Sequence, residues 1–470
     1  LPTPSSAAQL SLWDAVSLIV GIVVGSSIYR VSPLVFGNTS TPLAGLGIWL
    51  LGGVLSFIGA MLYAELATTF PRCGGEYNYL SRAYGNWLGF LFAWSQLVIV
   101  QTASIGALAF VFADYARGLW QGADAVLPWL AGAAVIMLTG FNLIGLRAGA
   151  RVQNTLTVLK LVGLLAMVIA GLAFGTADPL QPVTREAGQA SWSFAFILVM
   201  YAYGGWSDAG FVAAEVKDVS RNVPRALLGG LSLITVIYLL VNLSYLRGLG
   251  VAGLIESQRP AADVLKIWMG ASGETVMSLL VIASTLGGVN GLIFSTSRVH
   301  AMLGQDYRLF RALGGFSRRE SPTVSLLAQA AVTVLMLLSV GTITGQAWLN
   351  RGLQTCGFHE VNWQKYGGGF DTLVAGSAPA FWLFFLLNAL GFMILRIKDR
   401  DRPRPFRVPW SPVTPLVFIA VCGWMLYSST VYAQELLPFT SLPILLGIPV
   451  YMACLWVEPR SQTSSVDGMD

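Results

Sequence analysis

The sequence predicts an all-α membrane protein with about twelve transmembrane helices, on two grounds of composition and one of pattern. Of its 470 residues, 55% are hydrophobic and only 11% charged. Mean hydropathy is +0.66. A soluble domain carries about 25% charged residues, so surface that faces lipid must stand where that charge would be. The apolar residues also come in separate runs of about 20, the length of helix that crosses about 30 Å of hydrocarbon.

In chain order the runs lie near 13–36, 43–70, 87–113, 126–146, 153–175, 192–216, 226–247, 274–302, 322–343, 372–396, 412–433 and 440–457. The first and sixth are interrupted by Gly and small polar residues, the fifth carries Lys160, and the eighth carries Asn290. Glycine, 51 residues in all, is spread through the runs, as suits close helix packing in lipid. Trp13, Trp120, Trp129 and Trp410 mark run ends, where aromatic belts sit. No soluble domain fits between the runs, so residues 1–470 read as one membrane domain.

Charge placement orients the chain. With the N-terminus cytoplasmic, the dense clusters Arg396–Arg407 and Arg298–Arg319 both fall inside, as the positive-inside rule requires. Both termini are then expected in the cytoplasm. The net charge of +5 follows from this topology, and no basic face on a soluble fold exists to take nucleic acid. The N-terminus has no basic n-region and its first run is too long for a signal peptide, so it is expected to be retained. Four cysteines give no framework, and no disulfide is expected. Two histidines without paired spacing argue against a metal or a catalytic site. No phosphate-binding loop follows a strand, and no cofactor is expected.

The first run reads Gly21-Ile22-Val23-Val24-Gly25-Ser26-Ser27-Ile28-Tyr29 and the sixth Tyr201-Ala202-Tyr203-Gly204-Gly205-Trp206-Ser207-Asp208. Paired Gly-interrupted spans in corresponding positions of two halves point to a binding site at the repeat interface. N–H groups after the first break, near Ser26 and Ser27, suit a carboxylate. Carbonyls freed near Val23, Tyr201 and Gly204 suit an ammonium. The candidate contacts are thus Ile22, Val23, Gly25, Ser26 and Ser27 with Tyr201, Tyr203 and Gly204, and the fitting solute is a small zwitterion.

At these residues the chain resembles the amino acid–polyamine–organocation superfamily, and within it the L-type amino acid transporter family, bacterial branch. The motifs are Gly21 to Pro33, Tyr63-Ala64-Glu65-Leu66, Gly74-Gly75-Glu76-Tyr77, the Gly204-Gly205-Trp206 run with Glu215, Arg221-Asn222 and Pro224-Arg225-Ala226, and Gly288-Val289-Asn290-Gly291 with Ser297-Arg298. The resemblance implies a LeuT-like fold, a 5+5 inverted repeat (about 13–175 and 192–396) plus two peripheral helices (about 412–457). It also implies alternating access and sodium-independent exchange of neutral L-amino acids in the plasma (inner) membrane. Lys160 matches the lysine whose ammonium, in such families, stands where sodium sits in coupled relatives. Tyr201 falls where a gating Phe is common. No cysteine lies between Asp114 and Val126, so a disulfide-linked heavy subunit is not expected.

Two polar residues within the spans remain open. Asp208 could bind a cationic side chain, relay a proton or cap a half-helix. That keeps carriage of cationic amino acids or polyamines as an alternative, and a non-transporting amino-acid sensor as a third. Asn290 suits interhelical hydrogen bonding first and pocket lining second. Glu65 and Asp14 read as interfacial, each able to pair with a loop arginine. Residues 344–370 read as a long external loop.

Overall fold

The computed structural model describes residues 10–24, 27–72, 74–119, 122–181, 192–257, 259–317, 320–366 and 368–457. Among them there is no β-strand, only one isolated bridge between Leu10 and Val216. Ten helices are long and apolar enough to cross a membrane, and α1 (Leu12–Val23) with α2 (Ser27–Gly37), bent by 48°, makes an eleventh span. The expected sixth span is α9 (Trp192–Ala202) followed, after Tyr203–Gly205, by a 3₁₀ helix at Trp206–Glu215. Neither piece reaches spanning length alone, as a helix broken at mid-depth requires.

The other spans are α3 (Pro42–Thr69), α5 (Asn86–Ser95) running through a π turn at Gln96–Val100 into α6 (Gln101–Gly118), α7 (Leu127–Ile144), α8 (Leu146–Phe174) and α10 (Val219–Glu256). Then come α12 (Ser272–Asp306), α13 (Thr323–Gly341), α15 (Gly369–Lys398), α16 (Val413–Tyr432) and a last span divided into α17 (Leu437–Leu445) and α18 (Gly447–Val457). Short helices α4 (Glu76–Tyr84), α11 (Pro260–Met269) and α14 (Ile343–Thr355) lie between them. Four of the five first-half spans pack on the span five places later: α2 on α9, α3 on α10, α6 on α12, α7 on α13, while α8 packs on α10, α11 and α12. Helix α1 lies at the centre, against α8, α10, α12 and the 3₁₀ helix.

Helix α8 shows how lipid and core divide one helix. Gln153, Thr157, Lys160, Leu164 and Met167 are buried along one stripe, while Val158, Val162, Leu165 and Ile169 are exposed on the other. A spacing of three and four residues places each set on one face. Lys160 therefore points into the bundle and does not snorkel.

Two expectations are corrected. Residues 344–370 are not a bare loop. They form α14 and a 3₁₀ turn at Trp363–Tyr366, pinned by Lys365 to Glu435 at 2.7 Å and by the Asn362 N–H to the same carboxylate at 3.2 Å. Among the described residues Asp14 pairs with no arginine: it closes a capping box with Ser11 and accepts from Asn154 at 2.6 Å, because it stands at N3 of α1. Glu65 does find arginines. Fully buried, it accepts from Arg396 at 2.6 Å, from Arg404 at 2.9 Å and from the Val408 N–H at 2.7 Å.

Candidate substrate site

The two breaks face each other. Gly205, with φ 97°, lies so close to Ile22 that a Cβ there would stand 2.5 Å from Ile22 Cγ2. Only glycine meets both demands, the left-handed backbone and the close approach. Ile22 is thus a packing wedge between the breaks, its side chain buried. The Tyr238 hydroxyl of α10 ties them together, 2.9 Å from Val23 O and 3.0 Å from Ala202 O. One hydroxyl proton serves both carbonyls, so each keeps lone pairs for a further donor. Gly25 and Ser26 lie outside the described residues. Ser27 opens α2 and is buried.

Around the second break the two tyrosines separate. Tyr203 turns away, its hydroxyl donating to Trp49 O of α3 at 3.1 Å and its ring against Trp49 and Tyr238. The Gly204 N–H closes a turn on Tyr201 O at 2.9 Å. Tyr201 instead meets Phe370 edge-on at 6.3 Å. The Arg30 guanidinium stands 5.1 Å over the Phe370 ring and pairs with Asp371 at 2.8 Å. Tyr201, Phe370, Arg30 and Asp371 form a stack over one end of the breaks.

The opposite end, on the side of the arginine clusters, is also shut. The backbones of Leu10 and of Glu215 and Lys217 exchange hydrogen bonds of 2.9 Å each, and Arg298 of α12 pairs with Glu215 at 3.1 Å.

Lys160 reaches the first break directly, Nζ donating to Gly21 O at 2.7 Å with 1% of the residue exposed. Gly287 of α12 closes on the same ammonium, since a Cβ there would lie 3.8 Å from it. The turns before Lys160 continue the contact: Thr157 Oγ1 and Gln153 Nε2 donate to Ser17 O at 3.1 and 3.3 Å. Asn290 links α12 to both neighbours, accepting from Asn142 of α7 at 2.8 Å and donating to Gln153 Oε1 of α8 at 3.0 Å. Asp208 makes no cap. Its carboxylate accepts from Gln101 of α6 at 2.9 Å inside the bundle.

Sequence reading alone did not single out Tyr238, Gln153 or Thr157. The last two carried a readable signal, polar residues one and two turns ahead of Lys160 on the same face.

A bundle of spanning helices centred on two broken ones, with a lysine donating into the first break and closures at both ends, is the architecture of a broken-helix membrane transporter. The sequence model of the "Amino acid permease" family matches residues 10–453, and the chain belongs to that family, whose members are transporters and not enzymes. It is 29% identical to b(0,+)-type amino acid transporter 1 of Mus musculus over 90% of this chain and 82% of that one. With the serine/threonine exchanger SteT of Bacillus subtilis identity is 25%, over 94% and 96%. With large neutral amino acids transporter small subunit 2 of Mus musculus it is 28%, over 94% and 80%.

Proposed function

We propose that this chain is a secondary-active exchanger of neutral L-amino acids that works by alternating access without sodium. The observation that carries the reading is the junction of the two breaks under Tyr238, with the Lys160 ammonium on Gly21 O. Unspent lone pairs at Val23 O and Ala202 O suit an α-ammonium, and the start of α2 suits an α-carboxylate. The Lys160 amine, already donating to Gly21 O, leaves no need for a metal cation there. The serine/threonine exchanger among the relatives supports the same reading.

In this reading residues 13–175 and 192–396 are the inverted repeats, the 412–457 helices are peripheral, and both termini lie in the cytoplasm of a prokaryote. The chain works in the plasma membrane without a disulfide-linked heavy subunit, as the lack of a cysteine between Asp114 and Val126 supports.

The test is exchange in sodium-free proteoliposomes loaded with each of a panel of amino acids. Efflux of labelled alanine or serine driven by external neutral amino acids supports the proposal. A requirement for a sodium gradient refutes it, and binding without exchange would make the chain a sensor. Asp208, buried without an ion pair among the described residues, favours a second reading as a carrier of cationic amino acids or polyamines. Inhibition by arginine or agmatine exceeding that by alanine would establish that reading.

A further inference from the structure

Beside the second break, Glu76 of α4 and Asp208 of the 3₁₀ helix line one small cavity of about 10 Å³, together with Gln96, Gln101 and Ser207. That is room for about one water-sized occupant. Phe92, Phe381, Phe384 and Phe385 form its apolar wall. Glu76 is 3% exposed and Asp208 2%. Among the described residues neither carboxylate forms an ion pair. Each has one side-chain donor: Tyr63 for Glu76 and Gln101 for Asp208. Two interacting carboxylates in an apolar setting cannot both stay ionised.

A second observation points to what the cavity lacks. Among the described residues Gln96 Oε1 and Ser207 Oγ, both deeply buried on its wall, have no hydrogen-bond partner. An amide oxygen can only accept, so it calls for a donor, which a protonated carboxyl supplies. Gln96 opens the π turn, a distortion that recurs at functional sites.

We propose that Glu76 and Asp208 form a proton-binding site, and that its proton is bound and released within the transport cycle. The inference rests on the transport reading above. The other titratable groups around the pair are Tyr63 of α3, which donates to Glu76, Tyr79 of α4, which feels its charge, and Cys422 of α16 beside Tyr63. Helix α15 brings only phenylalanines to the cavity, and the helix through the π turn brings Phe92 and amides. Burial pushes the Glu76 carboxyl up to about 8, against the Tyr63 hydrogen bond and with help from Asp208. The closed pair therefore holds its proton below about pH 8. Opening the cavity to water returns Glu76 toward its ordinary value near 4.3, and at neutral pH the proton leaves.

The full chain is tested in sodium-free proteoliposomes by exchange of labelled alanine at equal internal and external pH from 5.5 to 9. The wild type is expected to lose exchange above about pH 8, by up to about tenfold per pH unit. Glu76→Gln and Asp208→Asn are expected to lose that slope. A wild type that exchanges alanine with a flat pH profile overturns the proposal, even if neither variant folds. Variants that keep the wild-type slope, or activation by added sodium in place of protons, overturn it too. A wild type that exchanges no amino acid at any pH refutes the transport reading instead.

Discussion

Replacing Lys160 separates a mechanistic charge from a structural one. Its ammonium is 1% exposed and donates to Gly21 O at 2.7 Å. A hydrogen bond to a charged group contributes about 1.5–3 kcal/mol, so its loss should reach about 10- to 100-fold in whatever equilibrium it biases. A lysine at mid-membrane depth itself costs about 2.5–3.5 kcal/mol to insert. Lys160→Met keeps the stem and removes the charge, so the two terms nearly cancel for folding but not for transport. The expectation is a melting temperature close to wild type with exchange reduced about 10- to 100-fold, and Lys160→Ala should be at least as slow. The assay is labelled-alanine exchange in sodium-free proteoliposomes, with thermal shift in detergent on the same preparations. Normal exchange in either variant would refute the reasoning. So would a collapse of melting temperature in step with activity, because the lysine would then serve the fold alone.

Three further substitutions test the neighbouring elements. Tyr238→Phe removes the hydroxyl between Val23 O and Ala202 O, a loss of about 1 kcal/mol that should weaken amino-acid binding about fivefold; unchanged affinity by calorimetry would free the breaks from this tie. Tyr201→Ala should slow exchange several-fold while leaving the melting temperature within a few degrees, since its ring closes on Phe370 and carries little of the core; normal turnover removes its gating role. Glu65→Gln leaves Arg396 and Arg404 without their shared carboxylate and should cost about 3–5 kcal/mol of stability, visible as a large drop in melting temperature.

The architecture was legible because its causes are local. Run length fixes spans, and Gly with Ser at mid-run frees backbone, so both breaks could be placed from residues 21–29 and 201–208. Lys160 was legible for the same reason, a single charge where lipid forbids one. What escaped depends on how helices rotate against each other. Tyr238 lies in Val236-Ile237-Tyr238-Leu239-Leu240, with nothing local to say that its hydroxyl meets two carbonyls from other helices. Tyr201 and Tyr203 read alike in sequence, yet a turn between them sends one to Phe370 and the other to Trp49. The Asp14 capping box, by contrast, was present in the spacing Ser11 to Asp14. Residues 344–370 misled because their glycines and polar residues mask a helix and a turn, the turn held by Lys365 and Asn362 on Glu435.

The two closures differ in strength, and the difference assigns them roles. With both termini in the cytoplasm, as proposed, the outer one rests on Arg30 and Asp371, whose side chains are 49% and 36% exposed. Such a pair contributes no more than about 1 kcal/mol, and ring contacts to Phe370 add about 0.5–1.5 kcal/mol. The inner one joins two backbone hydrogen bonds to the Arg298–Glu215 pair, 2% and 12% exposed. Breaking a buried pair costs about 3–5 kcal/mol. It also parts Leu10, just ahead of the first broken span, from the end of the second. The empty chain therefore opens outward more readily than inward. Inward opening needs free energy from solute bound across both breaks. A carrier that turns inward only when loaded exchanges one solute for another, so the imbalance between the two closures is itself a physical reason for exchange.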